Sequence, residues 1–200
     1  MAQKIYVIRH GETDWNKDKR FQGQSDIPLN EAGRAQAAGL VVRLKDILPF
    51  DCVVTSDLSR AKETAEIMCA DYPTLIRIDE GFREMSFGPW EGLDTPTIQS
   101  RWPGVIDNWF SSGQLDIPDG ETLEHLQERV WSSFLRWAQN PEYQTIAIIC
   151  HGGSGGALAC AAMGEPPQEM SRYMRKMGNT GMYLLTAAGQ GKYNLEYLDK

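Results

Sequence analysis

The sequence predicts an α/β fold, a three-layer sandwich in which helices flank a mostly parallel sheet with an antiparallel component at one edge. Two observations predict this class. Short apolar, β-branched runs alternate with segments of helical periodicity along most of the chain. Two strand-like runs then follow one another near the C-terminal end, which indicates the antiparallel component. The 200 residues are enough for a sizeable core, and we expect one domain over residues 1–200.

The first half of the chain is predicted to hold three strands and two helices. The strands are residues 5–8, 52–55 and 75–78, and the helices cover residues 31–48 and about 56–70. Asn30 has the side chain of an N-cap for the first helix, and Pro49 ends that helix because proline cannot continue it. Ser56 is expected to be the N-cap of the second helix.

The second half opens with a segment of weak periodicity, residues 82–120, which is rich in Pro, Gly and aromatic residues. We expect this segment to be an excursion that caps the main body, with one short helix near residues 97–101. The elements predicted after it are a helix over 122–139, a strand over 145–150, helices over 155–163 and 168–174, and strands over 182–187 and 193–198.

The charge balance disfavours several classes of partner. Twenty Lys and Arg residues against 27 Asp and Glu residues give a net charge of −7, with no basic block, so nucleic acid and anionic membranes are not expected partners. The N-terminal apolar run is too short for a signal peptide, and no run approaches the length of a membrane span. We expect a soluble, cytoplasmic protein with reduced, buried cysteines at positions 52, 69, 150 and 160.

Chemistry-bearing residues follow four of the predicted strands. Arg9 and His10 follow the first strand, Arg60 lies one turn into the helix after the second, Glu84 lies in the loop after the third, and His151 follows the fourth. Ligands of open α/β sheets bind beyond the carboxyl ends of the strands. We therefore expect these five side chains to converge at one edge of the sheet.

These residue types suit the transfer of a phosphoryl group. Two arginines can bind a tetrahedral oxyanion bidentately, and nearby glycines let backbone N–H groups approach it. One neutral imidazole can attack phosphorus and form a covalent intermediate, while a second imidazole, if protonated, stabilises charge. A carboxylic acid must then protonate the leaving oxygen, which requires a partly buried carboxyl group.

Four sequence blocks carry a resemblance to a known family. The blocks are Arg9-His10-Gly11-Glu12-Thr13, the stretch from Ser56 through Arg60 to Ala65, Arg83-Glu84 with the nearby Phe87-Gly88-Pro89-Trp90-Glu91-Gly92, and His151-Gly152-Gly153. In this order they resemble the histidine phosphatase superfamily, also called the phosphoglycerate-mutase-like family, over residues 5 to about 155. The resemblance implies the family's fold, with one antiparallel strand in the sheet.

The resemblance also implies a role for each matching residue. His10 would be the nucleophile that becomes phosphohistidine, and Glu84 would be the general acid and later the base toward water. The implied phosphate-binding residues are Arg9, His10, Asn16, Gln22, Arg60, His151 and Gly152. No metal and no other cofactor would be needed. The implied partner is a small-molecule phosphomonoester, with inorganic phosphate as a product and segment 82–120 selecting the substrate.

The family contains phosphatases and mutases, and the sequence favours a phosphatase. Mutases continue after the third block with a Leu-Gln-Gly-Leu-Asn-Lys-like segment and an Arg-Arg pair, whereas this chain continues through Leu93-Asp94-Thr95-Pro96 with no such pair. A phosphoglycerate-type mutase is the first alternative, and a regulator that binds a phospholigand without turnover is the second. A hydrolase that uses Cys150 is disfavoured, because adjacent strand residues point to opposite faces.

Other polar and aromatic residues have two interpretations. Glu12, Asp57 and Glu91 are rival carboxylates to Glu84. His125 is expected to be solvated, on the polar face of a helix that also carries Arg129, Ser132 and Arg136. The aromatic residues of the capping segment line a substrate cleft or fill that segment's own core; they are Trp90, Trp102, Trp109 and Phe110.

Overall fold

A six-stranded sheet forms the centre of the protein, in a computed structural model that describes residues 4–198. The strands are β1 (Lys4–Arg9), β2 (Cys52–Thr55), β3 (Leu75–Ile78), β4 (Thr145–Cys150), β5 (Met182–Gly189) and β6 (Lys192–Tyr197). Their order across the sheet is β3-β2-β4-β1-β5-β6. The first four strands pair in parallel, and β5 pairs antiparallel with both β1 and β6. The predicted fold class is confirmed.

The sheet separates two hydrophobic clusters, as expected for a three-layer sandwich. Successive residues of β1 alternate between them: Ile5 and Val7 belong to the larger cluster, and Tyr6 and Ile8 to the smaller one. Strands that are buried on both faces read as continuous apolar runs, which is why β1 and β4 were recognisable from the sequence.

Within residues 4–198, eight α-helices accompany the sheet. They are α1 (Asp14–Lys17), α2 (Glu31–Arg43), α3 (Ser59–Cys69), α4 (Thr95–Arg101), α5 (Val105–Ser112), α6 (Leu123–Ala138), α7 (Gly152–Ala162) and α8 (Met170–Met174). Short 3₁₀ turns occupy Glu80–Phe82, Gly88–Trp90 and Pro167–Glu169. Among the described helices, none combines the length and apolar character needed to span a bilayer.

Two helix ends in the first half differ from the prediction. Helix α2 ends at Arg43 rather than near residue 48, because Leu44 already leaves the helical conformation and the chain turns over residues 44–47. Helix α3 starts at Ser59, and Ser56 is not its N-cap. The Ser56 hydroxyl accepts the N–H of Leu58 in the preceding turn, whereas the N–H of Ser59 donates to Asp26 Oδ1 from a distant loop.

Three further helices depart from the prediction. Helix α7 starts at Gly152, not at 155, because the glycines that suggest a loop in sequence are buried in a close-packed helix. Helix α5 was not predicted. It lies between Gly104 and Gly113, both in the left-handed conformation, so its flanking glycines mark helix ends rather than an irregular segment. The short helix α1, capped by Thr13, was missed because it has four residues.

Candidate active site

A cavity of about 400 Å³ opens at the carboxyl edge of the parallel strands. It has two ends. The inner end is lined by buried or half-buried residues, which are Arg9, His10, Arg60, Glu84, Gly152 and Gly153. The outer end holds a wall of Phe21, Phe87, Trp109, Phe110, Met174 and Met177 and a cationic rim of Lys19, Arg20 and Arg175. Asn16 and Gln22 also line the cavity. His151 does not line it but is fully buried directly beside it, in contact with Arg60 and His10, so the predicted site residues are brought together.

His10 is a neutral imidazole that is protonated on Nδ1 and unprotonated on Nε2. Its Nδ1 lies 2.6 Å from the carbonyl oxygen of Gly11, which can only accept a hydrogen bond, so Nδ1 carries the proton. The side chain is buried, with 2% of its surface exposed. Burial lowers the pKa of His10 well below its usual value, and the nearby guanidinium groups of Arg60 and Arg9 lower it further. The site therefore holds His10 as a neutral imidazole with an unprotonated Nε2.

His151 has the opposite tautomer. The Nε–H of Arg60 donates to His151 Nδ1 over 3.2 Å, so the proton of the neutral ring lies on Nε2. Burial lowers the pKa of His151 well below its usual value, again with a contribution from the Arg60 charge. The two imidazole rings are 5.0 Å apart. The sequence prediction considered His151 as a cation, whereas the structure makes it a neutral hydrogen-bond donor.

Two buried donors at the inner end have no hydrogen-bond acceptor among the described residues. They are Arg9 Nε and His151 Nε2. Buried polar atoms are almost always paired, so two unpaired donors at one site indicate an anionic ligand. Arg9 is also held in place, since its Nη1 donates to the carbonyl of Met177.

Arg60 is fully buried and crosses the floor of the site. Besides His151, its guanidinium donates to the carbonyls of Gly23 and Ser25, each over 2.8 Å. Desolvation lowers the pKa of Arg60 to about 10, which still leaves the side chain charged at neutral pH. Arg60 is therefore both a rigid cation and the group that sets the tautomer of His151.

The carboxylate of Glu84 occupies the N-terminal end of helix α7. Its oxygens accept the N–H groups of Met85, Gly153 and Ser154 at 2.8–3.0 Å. A Cβ at position 153 would lie too close to Glu84 Oε1, so any other residue there would require the Glu84 carboxylate to shift. These hydrogen bonds fix the position of the Glu84 carboxylate, and the positive end of the helix dipole stabilises its charge.

Sequence analysis missed one residue that holds the Glu84 loop. Arg129 shares a helix face with the exposed His125, yet its guanidinium turns inward and donates to the carbonyls of Gly81, Arg83 and Glu84. It also forms a two-point ion pair with Glu121. All these partners lie at least eight residues away, so no local pattern marks Arg129 as more than a polar-face residue.

The two predicted amide side chains of the site are linked to neighbours. Gln22 Oε1 accepts a hydrogen bond from the Thr13 hydroxyl, and Asn16 Oδ1 accepts one from Asn179 Nδ2. Asn179 also donates to the carbonyl of His10 over 3.2 Å. Asn179 is a second residue that the sequence analysis missed, because it lies 169 positions from its partner.

The rival carboxylates are engaged in other contacts. Asp57 pairs with Arg83, which lowers the pKa of the Asp57 carboxyl. Glu12 accepts a hydrogen bond from Asn30, and Glu91 caps the loop at Gln24 and Ser25. Glu84 is the carboxylate that lines the cavity.

The remaining candidates divide between cavity and core. Trp109 and Phe110 line the cavity, whereas Trp90 is fully buried in the larger hydrophobic cluster with Trp102 packed against it. Burial raises the pKa of the Cys150 thiol to about 12, and Cys150 does not line the cavity. Among residues 4–198, no group of three or more His, Cys, Asp or Glu side chains is arranged to hold a metal ion.

Comparison with known proteins decides the family. The model of the histidine phosphatase superfamily (branch 1) matches residues 5–200. The chain belongs to this superfamily. A curated relative, "Probable phosphoglycerate mutase GpmB" of Salmonella arizonae, is 34% identical over 166 residues, which cover 82% of this chain and 76% of the relative.

Two solved structures of the superfamily resemble the fold over nearly its whole length. The α-ribazole phosphatase from Shigella flexneri is 28% identical, with a TM-score of 0.85, and the match covers 98% of this chain and 96% of that one. Mycobacterial glucosyl-3-phosphoglycerate phosphatase, in a structure with VO3, is 27% identical with a TM-score of 0.85. That match covers 100% of this chain and 99% of the other. Superfamily members of similar fold thus carry both phosphatase and mutase names.

Proposed function

We propose that this protein is a phosphomonoesterase that hydrolyses a small phosphorylated metabolite through phosphohistidine at His10. The observation that carries the proposal is the pair of imidazoles in opposite tautomers. His10 Nε2 has a lone pair, and His151 Nε2 carries a proton without an acceptor among the described residues. One ring can attack phosphorus while the other donates to a phosphoryl oxygen.

The first step transfers the phosphoryl group to His10. Arg9, Arg60, His151 and the N-terminal end of α7 at Gly152 hold the phosphoryl oxygens. The Nε2 lone pair forms the P–N bond as the bond between phosphorus and the ester oxygen breaks. Glu84, which helix α7 holds as a carboxylate in the free site, has to enter the reacting complex protonated, and it then gives that proton to the leaving alkoxide. The negative phosphoryl group offsets the charges of the two arginines during this step.

The second step returns the enzyme to its starting state. The Glu84 carboxylate now removes a proton from a water molecule that attacks phosphorus. The P–N bond breaks, its electron pair returns to His10 Nε2, and inorganic phosphate leaves. Glu84 is again an acid, so one carboxyl group serves both steps.

We propose a phosphatase rather than a mutase, which would return the phosphoryl group to another hydroxyl. The chain lacks the Arg-Arg pair that is expected of mutases after the third sequence block. The phosphatase names of the structural relatives support the same assignment. The mutase alternative is supported by the name of the curated relative at 34% identity. Segment 82–120, which contributes Phe87, Trp109 and Phe110 to the cavity, would select the substrate.

The test is to measure turnover and covalent labelling in His10→Ala and in the wild type. We expect the wild type to release phosphate from 4-nitrophenyl phosphate and to form an acid-labile phosphoenzyme. His10→Ala should lose turnover by about 10⁴-fold or more and lose the label. A screen of phosphorylated metabolites, scored for phosphate release and for isomer formation together, separates the phosphatase from the mutase.

His125→Ala is the matched control, because it removes the exposed histidine of α6. It should retain both activity and label. A label that persists in His10→Ala would refute His10 as the nucleophile. Saturable phosphate binding without any turnover in the wild type would instead indicate the non-catalytic regulator.

A further inference from the structure

The cavity as a whole contains more positive charge than the binding of one phosphoryl group requires. Five basic residues line the cavity against a single carboxylate, Glu84, in a chain of net charge −7. Arg9 and Arg60 belong to the inner end. Lys19, Arg20 and Arg175 lie at the mouth, exposed to solvent.

Arg175 differs from the other two rim cations. Arg20 lies near Asp18 and donates to the carbonyl of Gly92. Lys19 is exposed in a loop and has a positive φ of 56°. Arg175 follows helix α8 and lies over the ring of Phe110, with its guanidinium carbon 5.6 Å from the ring centroid. It forms no ion pair with any described residue.

The segment that carries Arg175 is fixed to the inner end. Arg9 donates to the carbonyl of Met177, two residues further on. Met174 packs against Gly152, since a Cβ at Gly152 would lie 3.7 Å from both Met174 and the Arg9 guanidinium. The backbone that carries Arg175 is therefore fixed relative to Arg9, and both residues line the same cavity.

Phe110 gives this cation an aromatic neighbour. Its ring stacks on Trp109 at 5.0 Å and 14°, and 43% of its surface is exposed although it lies in a cavity wall. The full volume of about 400 Å³ is in the range of small-molecule sites and exceeds the needs of a phosphoryl group alone. A flat or apolar leaving group can cover this wall.

We propose that Arg175 and Phe110 form a leaving-group subsite for phosphomonoesters that combine a compact apolar or planar portion with a second anionic group. Arg175 binds the second anion, and the stacked Phe110 and Trp109 rings contact the apolar portion. Arg175 is thus a residue that determines specificity and takes no part in the chemical step. The inference rests on the proposed phosphomonoesterase function.

The experiment compares two series of aryl phosphates that differ in one charge. The positional isomers of carboxyphenyl phosphate carry the second anion, and the matching carbamoylphenyl phosphates are neutral there with nearly the same shape. In the wild type, at least one carboxylate isomer should have a kcat/KM about five-fold above its neutral partner. Arg175→Gln should remove this preference, and added salt should weaken it.

Lys176→Gln is the matched control. It removes the neighbouring cation, which lies over Tyr197 and does not line the cavity, and it should keep the preference. A wild type that shows no preference in any isomer pair, or an Arg175→Gln protein that keeps it, would overturn the subsite while the proposed function stands. If the wild type hydrolyses none of these esters and not 4-nitrophenyl phosphate either, the proposed function itself fails and the subsite falls with it.

Discussion

The side chains at the two ends of the cavity are held in place by different interactions. At the inner end, each functional group has a fixed backbone partner: Gly11 for His10, Met177 for Arg9, and the N-terminal end of α7 for Glu84. At the outer end, the side chains of Arg175 and Phe110 contact each other, and Phe110 stacks on the Trp109 ring. The reaction rate falls when a catalytic group is misplaced by about an ångström. An exposed subsite can instead be ordered by the substrate that it binds. Fixed backbone partners are therefore concentrated at the end where the proposed reaction takes place.

Glycine 153 offers the strongest test of this arrangement. Gly153→Ala places a methyl group against Glu84 Oε1 and should displace the carboxyl group from its seat. We expect kcat/KM for phenyl phosphate to fall by about 10²-fold, the lower range of a general acid's contribution. The loss for 4-nitrophenyl phosphate should be much smaller, because nitrophenolate leaves without a proton.

Gly39→Ala is the control for this substitution. Gly39 lies in helix α2 with nothing within 4 Å of an added Cβ, so the change should leave the kinetics unaltered and stabilise the helix by about 1 kcal/mol or less. An equal loss of kcat/KM on both esters in Gly153→Ala would indicate a general distortion rather than a displaced acid.

Arg129 tests whether the Glu84 loop needs its distant support. In Arg129→Gln, three backbone carbonyls of the loop and the Glu121 carboxylate lose their shared cation. We expect kcat/KM for phenyl phosphate to fall by roughly 30-fold through misplacement of Glu84, with KM for 4-nitrophenyl phosphate little changed. Arg129→Lys should recover part of the loss, since it restores the charge without the planar fork.

Arg136→Gln provides the comparison for Arg129. Arg136 lies on the same helix, but its exposed guanidinium pairs with Asp79 and contacts none of the three carbonyls that Arg129 binds. Its loss should affect neither ester. If Arg129→Gln reduces the free energy of unfolding but leaves the ratio of the two esters at the wild-type value, Arg129 is structural and does not position the acid.

The sequence predicted the inner end far better than the outer end, for a physical reason. Arg9, His10 and His151 directly follow buried strands, and parallel strands bring such positions together whatever the loops do. Glu84, in a loop after β3, was assigned mainly through the family resemblance. Arg129 and Arg175 reach the site only through contacts with residues more than 40 positions away along the chain.

The same distinction applies to the secondary structure. Strands buried on both faces were predicted within one or two residues, because their apolar runs are continuous. The predicted start of α3 was wrong because the N–H of its first residue, Ser59, donates to Asp26, which is remote in sequence. Helix α5 was missed because Gly104 and Gly113 read equally well as loop residues and as helix ends.

Stability against pH gives the smallest predicted difference between the two ends. The pKa values of His10 and His151 are lowered in the folded protein, while in the unfolded chain they return to about 6.5. The unfolded state then binds more protons below pH 6.5, so the free energy of unfolding decreases as the pH falls. Between pH 7.5 and 5.5 each buried imidazole should cost about 1.4 kcal/mol, measured by urea denaturation in phosphate-free buffer.

His10→Asn removes one of these imidazoles from the inner end, and its stability should fall less than that of the wild type by about 1.4 kcal/mol over this interval. Arg175→Gln changes only the exposed outer end, so its curve should run parallel to the wild-type curve. Ionisations elsewhere in the chain are common to all three proteins and cancel in the differences. Parallel curves for His10→Asn and the wild type would mean that His10 takes up its proton in the folded site as readily as in the unfolded chain, and the neutral nucleophile would lose its electrostatic basis.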